Sequence, residues 1–309
     1  NVEAISNGAA GIQVYDSANV QIGGTNGEAC LLSANSQYGL HVYGSRSTNN
    51  ILLGSWIGVR RGGTQSWGNA QSGVIIEDQA RFNRIGGTNL LNRNIIAANG
   101  GPGILLQDGG TTNNRVLGNY LGVDATGTNP LRNTYGVQIQ NGAGYTEIGA
   151  PTGGNVIAAH YSAILIDTGS VGNLVRANLL GVDATGARVL TNRDAVIQIL
   201  GGINNTIGGT STNTRNVIAG GSYGILISGS NPDNNIIRAN FIGLNAAGTQ
   251  VLSNRLEGIR IESGTNTQIG GSSGSSGNVI AGNGAGGINL FSPAADTRIA
   301  GNFIGTDAQ

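Results

Sequence analysis

The hydrophobic residues of this chain come in short runs, each preceded by Asn or Gly and separated from the next by Gly, Ser and Asn. Residues 216–248 show the pattern most clearly, with the runs Val-Ile-Ala, Ile-Leu-Ile and Ile-Ile-Arg, after which Phe241-Ile242-Gly243 begins the cycle again. Runs this short, bounded by turn residues, are typical of β-strands, because an amphipathic helix needs roughly ten residues or more. The pattern therefore predicts short strands joined by tight turns.

The pattern repeats about every 62 residues. The motif Ile-Gly-Gly or Ile-Gly-Ala has its Ile at positions 22, 85, 148, 207 and 269, and a second motif, centred on a Gly between two apolar residues, has that Gly at 58, 122, 181, 243 and, as a near match, 305. Self-similarity at a steady spacing is the signature of a repeat architecture. We predict one domain, residues 1–309, built from five repeats.

Each repeat divides into two coils of about 31 residues, because central strands such as Gly39-Leu-His-Val and Gly224-Ile-Leu-Ile occur ten times. Three strands per coil would stack into three parallel sheets, and ten coils at about 4.8 Å each give a rod about 48 Å long. Right-handed winding is favoured for parallel crossovers. The predicted fold class is all-β, a right-handed parallel β-helix of about ten coils.

The phrases NVIAGN, GNFIGTDA and NNTIGG resemble the right-handed parallel β-helix repeats of secreted and cell-surface proteins. The resemblance covers essentially the whole chain and implies an extracellular or cell-surface location. It does not choose a function, because the same architecture carries pectate lyases, polygalacturonases, phage tailspikes, adhesins and plain scaffolds.

Aligned coils place Asn residues in columns. The position before one strand of each coil begins with Cys30 and Ser55 and is Asn in the remaining eight coils: Asn94, Asn119, Asn155, Asn178, Asn216, Asn240, Asn278 and Asn302. An amide offers both donors and an acceptor, so stacked Asn side chains can bond to one another and to the turn backbone. We predict a structural ladder here, a buried and inert Cys30 thiol, and a ladder position for His160.

The residue after each ladder position is apolar, and on every second coil it is bulky or aromatic, the aromatic members being Trp56, Tyr120, Phe241 and Phe303. Strand alternation turns this column away from the interior. We expect the loops at 59–67, 123–131, 182–190 and 244–252, each of which ends in an apolar residue, to cover it.

Charged residues make up 10% of the chain, the net charge is zero, and all sixteen basic residues are Arg. A neutral chain provides no electrostatic surface for nucleic acid, and no apolar stretch approaches the roughly 18 residues of a membrane span. We therefore predict neither nucleic-acid binding nor membrane insertion.

Glu77, Asp78 and Asp108 are the candidate catalytic residues, since neighbouring coils would bring them close together. In β-helix lyases, clustered carboxylates hold Ca²⁺ against an acidic sugar, and in hydrolases paired acids act as acid and base. A solvated polar face is the competing interpretation. Under it, the chain has no cofactor and no metal, and Ca²⁺ enters only with the lyase alternative.

The coils are uniform and in phase from end to end, and neither end shows a capping segment. Uncapped sheet edges invite pairing, so we expect a longer array or end-to-end self-association. The favoured function is a non-enzymatic extracellular module, such as a filament subunit, an adhesin shaft or a surface spacer. The alternatives are a polysaccharide lyase or glycoside hydrolase, and a glycan-binding module that uses Tyr15, Tyr43 and Gln side chains.

Overall fold

The computed structural model describes residues 4–25, 28–273, 275–291 and 294–308. Thirty β-strands account for nearly all of the regular structure in these ranges, with 3₁₀-helices at Leu90–Asn92 and Thr212–Thr214. No helix in the described part of the chain is of the length and apolar character that a membrane crossing requires.

The strands are β1 (Ile12–Tyr15), β2 (Gln21–Gly23), β3 (Leu31–Leu32), β4 (Leu40–Tyr43), β5 (Ile51–Leu53), β6 (Trp56–Ile57), β7 (Val74–Glu77), β8 (Arg84–Gly86), β9 (Ile95–Ile96), β10 (Ile104–Gln107), β11 (Arg115–Leu117), β12 (Tyr120–Leu121), β13 (Val137–Gln140), β14 (Glu147–Ile148), β15 (Val156–Ile157), β16 (Ile164–Ile166), β17 (Leu174–Val175), β18 (Leu179–Leu180), β19 (Ile197–Leu200), β20 (Thr206–Gly208), β21 (Val217–Ile218), β22 (Ile225–Ser228), β23 (Ile236–Arg238), β24 (Phe241–Ile242), β25 (Glu257–Ile261), β26 (Gln268–Gly270), β27 (Val279–Ile280), β28 (Gly286–Leu290), β29 (Arg298–Ala300) and β30 (Phe303–Ile304).

Every third strand joins the same sheet, so the chain forms three ten-stranded sheets. Sheet A runs from β1 through β4 and β7 to β28, sheet B from β2 to β29, and sheet C from β3 to β30. Neighbouring strands within each sheet are parallel. One strand from each sheet makes a coil, and the ten coils complete about nine turns from the first strand to the last. The parallel β-helix predicted from the sequence is confirmed.

The interior is filled by the inward-facing residues of all three sheets. On β4, for example, Leu40 and Val42 are each 1% exposed, and they belong to one hydrophobic cluster that runs from Val14 to Ile280. Burying an aliphatic side chain of this size contributes about 1.5–3 kcal/mol, and the branched shape of Ile and Val suits a pleated sheet. Because the interior is filled, any binding or catalytic chemistry must lie on the outer faces or in the turns.

The Asn ladder before the sheet C strands is confirmed as a continuous stack. Each Asn side chain from Asn94 to Asn278 donates from Nδ2 to Oδ1 of the next ladder residue, with N–O distances of 2.8–3.2 Å. The same Nδ2 groups also donate to backbone carbonyls of the preceding coil, as Asn155 does to Val116. At the start of the stack, the Cys30 N–H donates to Ser55 Oγ, and Cys30 is half-buried, not buried as predicted.

His160 lies in a further ladder, at the turn that leads from sheet C into sheet A. Side-chain amides join Asn35, Asn69, Asn99 and Asn133 in series, and His160 follows Asn133. Its backbone N–H donates to Asn192 Oδ1, and its ring nitrogens lie 3.3 Å and 3.1 Å from backbone carbonyl oxygens. The ring is 0% exposed, so His160 takes the place of a ladder amide inside the rod.

The apolar column on the outer side of sheet C packs against hairpin loops that recur once every two coils. Tyr120 and Phe241 are buried and Trp56 is half-buried. The loops pack closely on these rings. A Cβ added to Gly127 or Gly248, both of which have positive φ, would come within 3 Å of the Tyr120 or Phe241 ring, respectively. The guanidinium groups of Arg93 and Arg215 stack on the same two rings at 3.9 Å.

Phe303 departs from the prediction that the whole column is covered. It is 55% exposed, because it lies in the last coil, where no hairpin loop of the described residues packs on its ring.

Successive hairpin loops are joined to one another by backbone hydrogen bonds of 2.9–3.0 Å, the last of them from the Ala308 N–H to the Gly248 carbonyl.

Replacing one ladder amide should destabilise the fold strongly. Asn178→Ala removes the acceptor for the N–H and Nδ2 groups of Asn155 and the donor to Asn216 Oδ1, all of them buried. Each buried polar group left without a partner costs about 1–3 kcal/mol, so we expect the free energy of unfolding to fall by at least about 3 kcal/mol. Urea denaturation followed by circular dichroism measures it.

The matched control is Asn213→Ala, which removes an exposed amide outside the ladders. We expect this control to change the free energy of unfolding by less than about 0.5 kcal/mol. Equal effects of the two substitutions would show that the ladder amide contributes nothing particular to stability.

His160 should make stability depend on pH. Burial is the main cause that lowers the pKa of His160 from 6.5 to about 4, so between these values the unfolded chain binds the proton and the folded chain does not. The free energy of unfolding therefore falls as the pH drops from 6.5 to 4, by roughly 3 kcal/mol from this residue. His160→Asn, which restores a ladder amide, should reduce that slope. Urea denaturation of both proteins across this window is the measurement, and parallel stability curves would contradict the assignment.

Candidate functional site

An aromatic cluster lies on the outer face of sheet A at its first two strands. Side chains alternate along a strand, so Tyr15 on β1 and His41 and Tyr43 on β4 all point outward. The His41 and Tyr43 rings stack with centroids 4.1 Å apart, Tyr15 lies 4.7 Å from Tyr43, and Tyr38 meets the edge of His41 at 5.2 Å. These four residues, the aromatic surface, place an imidazole among three phenol rings at the protein surface.

Glu77 on the next strand holds the imidazole in place. Parallel pairing aligns Glu77 with Tyr43, so its carboxylate reaches His41 diagonally, with Oε1 2.7 Å from His41 Nε2. The two side chains are 13% and 21% exposed, so the pair lies partly open to solvent. When the neutral His41 donates a hydrogen bond from its Nε2–H to Glu77, its Nδ1 atom carries no proton and can act as a proton acceptor.

A line of amides continues from Glu77 across the next two strands. Gln107 on β10 donates to Glu77 Oε2 at 2.5 Å, Gln140 on β13 donates to Gln107 at 2.8 Å, and Gln138 donates to Gln140 at 2.6 Å. With His41, these residues form a polar track that crosses four strands, a span of about 14 Å at the usual strand spacing. Gln107, Gln138 and Gln140 are half-buried, and an amide side chain can both donate to and accept from a hydroxyl group.

Tyr38 beside the track keeps its proton well into the alkaline range. Burial is the larger cause that raises the pKa of Tyr38 above 10.0, and the negative charge of Glu77 adds to it. The phenol is therefore a hydrogen-bond donor at neutral pH, and its ring lies 5.2 Å from the His41 ring in an edge-to-face arrangement.

The candidate carboxylates Glu77, Asp78 and Asp108 lie in different local settings. β7 ends at Glu77, and Asp78 follows in a left-handed turn with φ of 51°, while Asp108 occupies the corresponding turn after β10 with φ of 74°. Glu77 instead bonds to His41 and Gln107. Within the described ranges, no three His, Cys, Asp or Glu side chains are grouped so that they could hold a metal ion.

Two further carboxylates have structural surroundings. Asp124 and Asp183 lie at the start of hairpin loops, 2% and 4% exposed. Burial acts to raise the pKa of each carboxyl, but hydrogen bonds from Thr126 and Asn129, and from Thr185 and loop N–H groups, lower it overall. Both side chains therefore bind their own loops and are not available to a ligand.

Sequence reasoning missed the pairing of His41 with Glu77. It placed the two residues on adjacent coils, but the contact is diagonal, since His41 lies level with Ile75 and Glu77 lies level with Tyr43. A search for outward positions in neighbouring columns of the central strands would have found it.

Comparison with known proteins identifies relatives of the fold. No family profile matches the chain, and no curated protein matches its sequence. A crystal structure of a double mutant of the periplasmic alginate epimerase AlgG aligns with 94% of this chain and 68% of its own, at 14% identity and a TM-score of 0.51. Alginate lyase from Paenibacillus sp. str. FPU-7 covers 96% of this chain and 90% of its own, at 14% identity and a TM-score of 0.40. At 14% identity, the likeness to the AlgG structure concerns the fold alone.

Proposed function

We propose that this chain is a carbohydrate-active β-helix that binds a polysaccharide across the outer face of sheet A, with His41 as a general base. One observation carries the proposal: His41 Nε2 lies 2.7 Å from a Glu77 carboxylate oxygen while the ring is packed between Tyr38 and Tyr43. A solvent-accessible imidazole oriented by a carboxylate is the usual arrangement of a catalytic base, whereas a purely structural face has no need of it.

The surface around His41 has the composition of a sugar-binding site. Tyr15, 59% exposed, and Tyr43 offer ring faces on which the apolar side of a sugar ring can stack. Gln107, Gln140 and Gln138 continue the site with amides in a row, which suits the hydroxyl groups of successive sugar units. An extended polymer that lies across the strands would contact both parts at once.

The residues present favour proton abstraction over hydrolysis. His41 Nδ1 can take the acidic proton next to the carboxyl group of a uronate, and the protonated Tyr38 can donate to an oxygen of the substrate. Return of a proton to the other face gives epimerisation, and loss of the linked sugar gives elimination. Hydrolysis needs two carboxyl groups on opposite sides of the bond, and the second Glu77 oxygen faces the Gln107 amide.

The fold comparison suggests where to begin with substrates. An alginate epimerase has this fold, so uronate polymers such as alginate and polygalacturonate are the first to test. The epimerase is periplasmic, and we propose a periplasmic or extracellular location for this chain as well.

Binding and turnover should separate in two variants. In affinity electrophoresis against a panel of alginate, polygalacturonate and pectin, we expect Tyr43→Ala to weaken binding of the recognised polymer by about tenfold, since a stacking face is lost. Glu77→Gln should keep binding but lower turnover by at least about 100-fold, because His41 loses its orienting carboxylate. Proton NMR measures epimerisation, and ultraviolet absorbance of unsaturated ends measures elimination.

Glu262→Gln is the matched control, because Glu262 also points outward from sheet A but bonds to Arg260 far from the aromatic surface. It should change neither binding nor turnover. If none of the polymers binds, the proposal fails. If one binds but none turns over, His41 is not a base and the chain is a glycan-binding module.

A non-enzymatic structural module remains a second candidate, favoured by one observation. The strands of the last coil expose Leu290, Ile299 and Ile304 at 41–49%, although these positions are buried in earlier coils. Stacking of further coils would bury them. Light scattering that gives the mass of one chain at every concentration would exclude assembly of this chain with itself.

A further inference from the structure

The outer face of sheet B segregates positive charge in a chain whose net charge is zero. Its strands and their ends carry five outward arginines and a single carboxylate: Arg84, Arg115, Arg176, Arg238, Arg298 and Glu147. Glu147 is taken by two of the arginines, with an Arg115 Nε–Oε2 distance of 2.6 Å and an Arg176 Nε–Oε1 distance of 3.1 Å. In the part of the chain that the structure describes, no ion pair involves the remaining three arginines.

Arg238 differs from Arg176 in one respect that matters. The two residues occupy the same column of sheet B, two coils apart. The neighbouring position on the preceding coil is Glu147 for Arg176 but Thr206 for Arg238. In the described part of the chain, no ion pair or side-chain hydrogen bond involves Arg238 or Arg298, and the Arg238 Nε–H is buried without a partner. A buried N–H group without an acceptor is unfavourable, so this guanidinium is suited to an added anion.

Arg238 and Arg298 line one pocket. Arg238 lies on β23 and Arg298 on β29, with Gln268 of β26 on the coil between them, and Thr210 also lines the pocket. Gly270, which follows β26 residue Ile269 and so lies level with Arg238, lines the pocket without a side chain. None of the residues that line the pocket is acidic.

We propose that this pocket binds one tetrahedral oxyanion, sulfate or phosphate, either as the free ion or as a monoester. Guanidinium groups bind such oxygens through paired N–H donors. In this pocket the two arginines come from two different coils, with a Gln on the coil between them. The oxygens of a tetrahedral anion point in more directions than the two oxygens of a planar carboxylate, so a tetrahedral anion can accept from more of these donors. The site lies on a different sheet from His41 and does not depend on the function proposed there.

Equilibrium dialysis against radiolabelled sulfate at fixed ionic strength tests the pocket on the full chain. We expect saturable binding of one sulfate per chain, displacement by phosphate, and displacement by acetate only at much higher concentration. Arg238→Gln and Arg298→Gln should each weaken binding by at least about tenfold, since each removes a charged pair of donors.

Arg176→Gln is the matched control, because its guanidinium lies in the same column and is already bound to Glu147. It should retain sulfate binding, and circular dichroism should show that all three variants are folded. Competition by methyl sulfate, dextran sulfate and unmodified dextran then identifies the source: dextran sulfate that outcompetes methyl sulfate per sulfate group indicates a sulfated glycan, and equal competition indicates a free ion or small ester. Absence of saturable binding, or an equal loss in Arg176→Gln, would overturn the proposal.

Discussion

The amide-to-amide hydrogen bond between stacked Asn residues is the interaction on which this fold depends. A parallel β-helix must turn sharply three times per coil, and the backbone groups at each turn are buried against the next coil, where water cannot reach them. An Asn side chain supplies the missing partners: Asn155 donates both to Val116 of the coil before and to Asn178 of the coil after. Repetition of this bond fixes the stacking register of the whole rod.

That register determines what the outer faces can do. Because inward positions are filled with Ile, Val and Leu, polar side chains appear only at outward positions and in turns, where the register aligns them into columns. Sheet A gathers aromatic rings, an imidazole and amides, while sheet B gathers arginines. A chain with no net charge thus presents two chemically different faces on one scaffold.

The regular part of the structure could be predicted from the sequence, because it depends on period alone. A steady repeat fixes which residues stack, so the ladder from Asn94 to Asn302 follows directly from alignment of the coils. The contact between His41 and Glu77 could not be predicted in the same way. It joins different columns diagonally and depends on side-chain rotamers. Asp78 lies just after the end of β7 with a positive φ, so the alternation of strand residues does not describe it. Exposure of Phe303 likewise depends on which loop packs next to it, which a column of apolar letters does not reveal.

Native-state hydrogen exchange, measured residue by residue by NMR, tests most directly whether the ladders hold the coils together. If they do, the backbone N–H groups of ladder residues from Asn119 to Asn278, each of which donates to Oδ1 of the next ladder Asn, exchange only through global unfolding and share one high protection factor. Ladder amides that exchange as fast as the N–H groups of the exposed hairpin loops, while the sheet amides stay protected, would contradict the account.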